Sequence, residues 1–143
     1  EQYDFLYSLM PQITAEQQAE KDAMFAELDK LQDLDALSDD DMVAGVYPAY
    51  WKWLADYDIL QAAKEITRPV LLLQGDEDYQ VTLEDFGIWK DALGEKENWR
   101  MISYPGLTHA FTVGQKAEGA EVYTRPGRVD DQVLQDIADF IIQ

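Results

Sequence analysis

The apolar positions of this 143-residue chain change rhythm near Thr67. Before that point they recur at helical intervals. Met24, Leu28, Leu31 and Leu34 follow one another at spacings of four, three and three, which sets them on one face of a helix. Thr14 stands ahead of this stripe as an N-cap, with Gln17 three positions later, as a capping box requires. Ser38 followed by Asp41 reads as a second helix start, and Pro48 is expected to interrupt the stretch beyond it. Tyr47, Tyr50, Trp51, Trp53 and Tyr57 make an aromatic-dense stretch, and Asp58 opens a short helix through Ala62 and Ala63 to Glu65. With no strand-like alternation anywhere in it, residues 1–65 read as a helical segment.

Beyond Thr67 the run Val70-Leu71-Leu72-Leu73, opened by Pro69 and closed by Gln74-Gly75, has the continuous aliphatic character of a parallel strand buried on both faces. Thr82, with Asp85 at its third position, caps a helix whose stripe is Phe86, Trp89 and Leu93. Gly94 is expected to stop that helix in the left-handed conformation. Trp99 to Tyr104 is a second strand, cut off by Pro105-Gly106. A long loop holding Gly114, Gly119, Pro126 and Gly127 leads to about Val129. Asp130 then caps a final helix with Val133, Ile137, Phe140 and Ile141 on one face. Two strands joined by a helix of this length should be parallel, so the fold class is α/β: strand, helix, strand, helix over residues 66–143, preceded by the helical segment.

Charge narrows the partners. With 29 acidic and 11 basic residues the net charge is −18. Nucleic acid is not an expected partner, because phosphate binding depends on clustered Lys and Arg. No membrane partner is expected either: an anionic surface repels such a chain, and no apolar run approaches the ~20 residues of a spanning helix. The absence of cysteine excludes disulfides, thiolate metal sites and a cysteine nucleophile. The Asp76-x-Asp78-x-Gln80 spacing invites a calcium loop but fails, since Val81 stands where that loop needs Gly and Gly87 where it needs Glu. No metal and no cofactor is expected.

The candidate chemistry falls after the two strands, where open parallel sheets place their active sites. Asp76-Glu77-Asp78 follows the first strand, and His109, the sole histidine, follows the second. A carboxylate and an imidazole so placed suit a triad, in which the histidine takes a proton from a hydroxyl and the acid holds the ring in the right tautomer. The sequence by itself does not choose among the three neighbouring acids.

Pro69-Val-Leu-Leu-Leu-Gln-Gly-x-x-Asp78-Tyr-Gln-Val, followed by Tyr104-Pro-Gly-x-x-His109, resembles the last two catalytic motifs of the α/β-hydrolases, and most closely those of bacterial serine esterases and peptidase-like hydrolases related to dienelactone hydrolase. The resemblance implies that Asp78 is the triad acid and His109 the general base, in the chain order Ser, Asp, His. It implies that residues 66–143 are the C-terminal part of the hydrolase core and residues 1–65 a helical cap or lid. Trp51, Tyr79 and Phe111 are the candidates for substrate contacts. The substrate would be an ester of a small molecule or, second in order, an amide. The compartment, bacterial cytoplasm or secretion, stays open.

The nucleophile elbow Gly-x-Ser-x-Gly does not occur: Ser8, Ser38 and Ser103 all lack the flanking glycines. The chain is therefore expected to be a C-terminal fragment, inactive alone, with nucleophile and oxyanion hole in a preceding part. Such a fragment should self-associate or pair with that missing part, because two strands cannot cover their own edges. Two other readings remain open: an acidic, non-catalytic interaction module, and a pseudo-hydrolase that keeps the motifs without the serine.

Overall fold

Eight helical and extended elements follow one another in the computed structural model, which describes residues 2–10 and 12–142. They are α1 (Gln2–Ser8), α2 (Ala15–Asp29), α3 (Pro48–Asp56), α4 (Ile59–Lys64), β1 (Val70–Gly75), α5 (Leu83–Leu93), β2 (Trp99–Tyr104) and α6 (Asp131–Ile141). Short 3-10 helices at Lys30–Gln32, Leu34–Ala36 and Lys116–Tyr123 complete them. The chain divides into two units, Gln12–Gln61 and Glu1–Pro11 with Ala62–Gln143.

In the first unit Thr14 caps α2 as expected: its hydroxyl accepts from the Gln17 amide while the Gln17 side chain accepts from the Thr14 N–H. The stripe Met24, Leu28, Leu31 and Leu34 is not one helix face, however. The α-helix ends at Asp29, and Leu31 and Leu34 fall in the two 3-10 helices. No residue of α2 is fully buried. Ser38 and Asp41 close a turn and start no helix, the Asp41 carboxylate accepting from both the N–H and the hydroxyl of Ser38. These two bonds hold the Asp41 carboxyl below its ordinary value, the hydroxyl contributing most. Pro48 does not interrupt a helix but opens α3 in the first turn, where its missing N–H costs nothing. Between turn and helix, Val43 and Val46 exchange both backbone bonds around Ala44 and Gly45, each at positive φ. Val43 is fully buried and Trp51 donates its indole N–H to the Val43 carbonyl.

The second unit carries the sheet. β1 and β2 are parallel and in register from Val70 opposite Trp99 to Gly75 opposite Tyr104. Burial on both faces is reached only at the end of β1: Gln74 and Gly75 are buried, whereas Val70 to Leu73 stay partly exposed. A two-stranded sheet has one covered edge per strand, so the aliphatic run lacks neighbours on its other side.

Thr82 and Asp85 form the reciprocal box that starts α5, and Trp89 of that helix stacks on Trp99 at 6.1 Å between ring centroids. Gly94 is right-handed at φ −63°, not left-handed; a Cβ there would lie 2.5 Å from the Lys90 carbonyl oxygen, so close approach to the last helical turn is what calls for glycine.

Tyr104, Leu107 and Val133 centre the core, with Leu73, Ile102, Phe111, Val129 and Ile137 packed around them. α6 docks through Val133 and Ile137, but Ile141 is solvent-exposed. The buried partner on that helix is Asp136, which accepts from Arg100 at 2.9 Å, the Tyr104 hydroxyl at 2.9 Å and Gln132 at 3.3 Å. Burial, and then the bond to Asp136, push the Tyr104 phenol up to about 12. α1 belongs to this unit, although the sequence pattern assigns it to the helical segment. Phe5 stacks on Tyr79, and Leu6 and Leu9 come close to Gly119.

Candidate active site

Gly75 ends β1 at a place where no side chain fits. A Cβ would sit 2.2 Å from the Leu107 carbonyl oxygen and 2.6 Å from that of Thr108. The turn after β1 can therefore lie directly on the loop that follows β2. Three consecutive acids then do three different things. Asp76 donates its N–H to the Tyr104 carbonyl and accepts from the Gly106 N–H at 2.6 Å. Glu77 donates its N–H to the Leu107 carbonyl and accepts from the Lys116 N–H at 2.8 Å. Both clamp one loop to the other. Asp78 alone turns its carboxylate toward the histidine.

The histidine loop is a tight closure. Thr108 donates its N–H to the Thr112 carbonyl at 3.0 Å, Phe111 donates to the Thr108 carbonyl at 2.9 Å, and the two threonine hydroxyls lie 3.0 Å apart. Closing so short a circuit puts Phe111 at φ +54°, a left-handed conformation that few bulky residues adopt. Its ring is held against Tyr104, edge to face at 6.1 Å, and its carbonyl accepts from Asp130 at the start of α6. The loop is thus fixed at both ends while His109 projects, its side chain 49% exposed.

The imidazole Nδ1 lies 2.8 Å from Asp78 Oδ2. Asp78 is 6% exposed, and a buried carboxylate needs donors to replace water. It has them: Oδ1 accepts from the N–H groups of Gln80 at 2.8 Å and Val81 at 3.1 Å, and Oδ2 from Gln74 Nε2 at 3.3 Å besides the histidine. Nδ1 is the engaged ring nitrogen, which selects the tautomer whose Nε2 lone pair is left to accept a proton. No described residue hydrogen-bonds Nε2.

Of the other candidates, Tyr79 is buried between Phe5 and Tyr123, at 6.0 and 6.1 Å between centroids. Burial raises its phenol above the ordinary value, with the electrostatics of Tyr123 and Asp78 adding to the rise. With Phe5, Gln80 and Leu83 it lines a pocket of about 170 Å³ that reaches Asp78. Phe111 lines a second pocket, about 250 Å³, together with Leu73, Val81, His109 and Asp78. Trp51 lies in the other unit, its indole bonded to Val43 and its ring edge-on to Tyr50.

Sequence reasoning passed over Gln74. It is the single polar residue of β1, and a polar side chain closing an aliphatic run is the signal that could have marked it. Among the described residues no group of three or more His, Cys, Asp or Glu side chains is gathered to hold a metal ion.

The sequence pattern of the dienelactone hydrolase family matches residues 33–135. Esterase EstD of Thermotoga maritima is 33% identical over 104 residues, which is 73% of this chain and 25% of the relative. The chain thus spans about a quarter of the length of that relative. No solved structure matches it.

Proposed function

This chain belongs to the dienelactone hydrolase family, and we propose that it supplies the acid and the general base of a serine-hydrolase triad. His109 Nε2 takes the proton from an attacking serine hydroxyl and later gives it to the leaving group. Asp78 keeps the ring in the Nδ1–H tautomer and stabilises its charged form. The observation that carries this reading is the 2.8 Å contact between His109 Nδ1 and a buried Asp78 carboxylate, with half of the imidazole open to solvent. The likeness to a protein named an esterase supports ester hydrolysis over amide hydrolysis.

The nucleophile and the oxyanion donors come, on this reading, from residues outside the 143, because no Gly-x-Ser-x-Gly stands among them. The far greater length of Esterase EstD agrees with that. Residues 66–143 are then the C-terminal part of a hydrolase core. Residues 1–65 serve as its lid, and Trp51, Tyr79 and Phe111 are substrate contacts. The outer edge of β1, which pairs with no described strand, and its partly exposed aliphatic residues support pairing with a preceding part of the same protein, or failing that with a second copy. The 143-residue chain alone should leave a short p-nitrophenyl acyl ester unhydrolysed, while the longer protein turns it over through a serine that a fluorophosphonate labels. Full turnover by the 143 residues alone, or a longer protein without a labelled serine, would remove the proposal.

One observation favours a second reading. Tyr47, Tyr50, Trp53 and Tyr57 are all solvent-exposed at three- to four-residue spacing, as an aromatic face for a partner would be. In a non-catalytic module the aromatic face would be the working part, and His109→Ala would leave partner binding intact.

A further inference from the structure

Gln74 is buried to 7% exposure at the last turn of the sheet, where an uncharged amide has to find partners for everything it carries. Its Nε2 group has two hydrogens and three acceptors within reach. They are the Val81 carbonyl at 2.9 Å, the Gly75 carbonyl at 3.0 Å and Asp78 Oδ2 at 3.3 Å. The two carbonyls lie on either side of the acid turn, one before Asp76 and one after Gln80, so the amide is a strut across the base of that turn. The third contact reaches the same carboxylate oxygen that meets His109. Oδ1 is held from the opposite side by the N–H groups of Gln80 and Val81, and of those two Val81 is itself tied to Gln74 through its carbonyl.

We infer that Gln74 is a positioning residue: by bracing the Gly75–Val81 turn and donating to Oδ2, it fixes the rotation of the Asp78 carboxylate that selects the Nδ1–H tautomer of His109. The inference rests on the proposed triad only for its consequence in catalysis; the positioning itself can be read without turnover. Gln74 touches neither the imidazole nor any substrate atom. Its effect passes through Asp78. A carboxylate held by two backbone donors on one oxygen can still swing about the Cβ–Cγ bond, and the amide on the other oxygen removes that freedom. The tautomer matters because imidazole free of a partner has no need to carry its proton on Nδ1, and a ring protonated on Nε2 cannot accept from a hydroxyl there.

The experiment uses the fact that His109 is the only histidine, so its ring nitrogens give an unobscured NMR signature. Nitrogen chemical shifts recorded at a pH above which the ring signals no longer move report the tautomer of the neutral ring. The wild-type chain should be predominantly Nδ1–H. Gln74→Met, equal in length but without donors, should lose at least half of that population while the backbone amide spectrum of β2 and α6 stays in place. An unchanged Nδ1–H fraction in a folded Gln74→Met variant overturns the inference. Should Gln74→Met fail to fold, the side-chain amide of Gln74 in the wild-type chain decides. Protection of both its protons supports the strut, and exchange as fast as in the exposed glutamines refutes it. Loss of the tautomer preference with no esterase activity in the longer protein would uphold the positioning and sink the proposed function. Activity that depends on His109 but not on Gln74 would do the reverse.

Discussion

Replacing Gly75 by alanine adds one methyl group at the point where the two motif-bearing loops touch, and its cost can be worked from the contacts. The new Cβ would stand 2.2 Å from the Leu107 carbonyl oxygen, against 3.4 Å for an ordinary contact, so the Leu107–Thr108 backbone must retreat by about 1.2 Å. Neither atom belongs to a flexible side chain. Overpacking of this kind costs ~1–3 kcal/mol. The retreat also stretches the bonds from Asp76 to Tyr104 and from Glu77 to Leu107, both now 3.0 Å, and each is worth about 1 kcal/mol.

Gly75→Ala should therefore destabilise the strand-bearing unit by roughly 3–5 kcal/mol when the overpacking and the loss of both bonds are taken together. Gly87 is the matching control. It sits inside α5 with nothing within 4 Å of its Cβ position, so Gly87→Ala should stabilise by about 1 kcal/mol through helix propensity alone. Urea unfolding followed by the His109 ring signals reads the unit that matters. With a slope of ~1–3 kcal/mol/M the two variants should move its midpoint in opposite directions by a readily measured amount. A Gly75→Ala midpoint equal to or above wild type would refute the close-approach argument and with it the reason this glycine stands before the acid turn.

Further outcomes are expected of the same structure. Tyr104 is more easily kept neutral in the folded protein, its phenol raised from 10.0 to about 12 by burial and by its bond to Asp136, so its contribution to stability is complete below pH 10 and lost as pH rises from 10 to about 12. Thermal melts across that range should show a fall that Tyr104→Phe removes. Asp136→Ala leaves the buried Tyr104 hydroxyl and the Arg100 guanidinium without their acceptor, and should cost about 1–3 kcal/mol in urea unfolding. Thr82→Ala removes the cap of α5 and should cost ~1 kcal/mol, with loss of amide protection confined to the first turn of that helix.

What could be read from the sequence was what short-range chemistry decides. Thr14 with Gln17, Thr82 with Asp85, and Asp130 are caps because a side chain three positions or fewer from a free N–H is always in reach, whatever surrounds it. The strand Val70–Gly75 is marked by an aliphatic run closed by Gly, and Trp99–Tyr104 by the Pro105-Gly106 that cuts it off. Pro48 departs from expectation because its effect depends on position: the same fixed φ that breaks a helix interior suits a first turn. Ser38 and Asp41 have the spacing of a cap, but without an apolar stripe beyond them the same bonds close only a turn. Ile141 fits the stripe of α6 by spacing, yet the buried positions on that helix are Val133 and Asp136, the latter drawn in by Arg100 and Tyr104, 36 and 32 residues away in sequence. In the site, periodicity and charge could bring an acid and a histidine to neighbouring strand ends but could not choose among Asp76, Glu77 and Asp78; the family pattern pointed to Asp78. The distinction is made by backbone groups that only the folded loops bring together. Gly75 and Gln74 are visible in the sequence only as the close of an aliphatic run; their roles depend on the carbonyls that one lies against and on the turn that the other's amide spans.

Hydrolysis of a p-nitrophenyl acyl ester by the longer protein, wild type beside His109→Ala and Asp78→Asn, decides whether Asp78 and His109 are the acid and base of a serine hydrolase. Wild type should turn over and both variants should lose ~10³-fold or more in kcat, since a triad stripped of its base or given the wrong tautomer falls by about that much. Turnover by His109→Ala at the wild-type rate, or no turnover by wild type, would contradict that assignment.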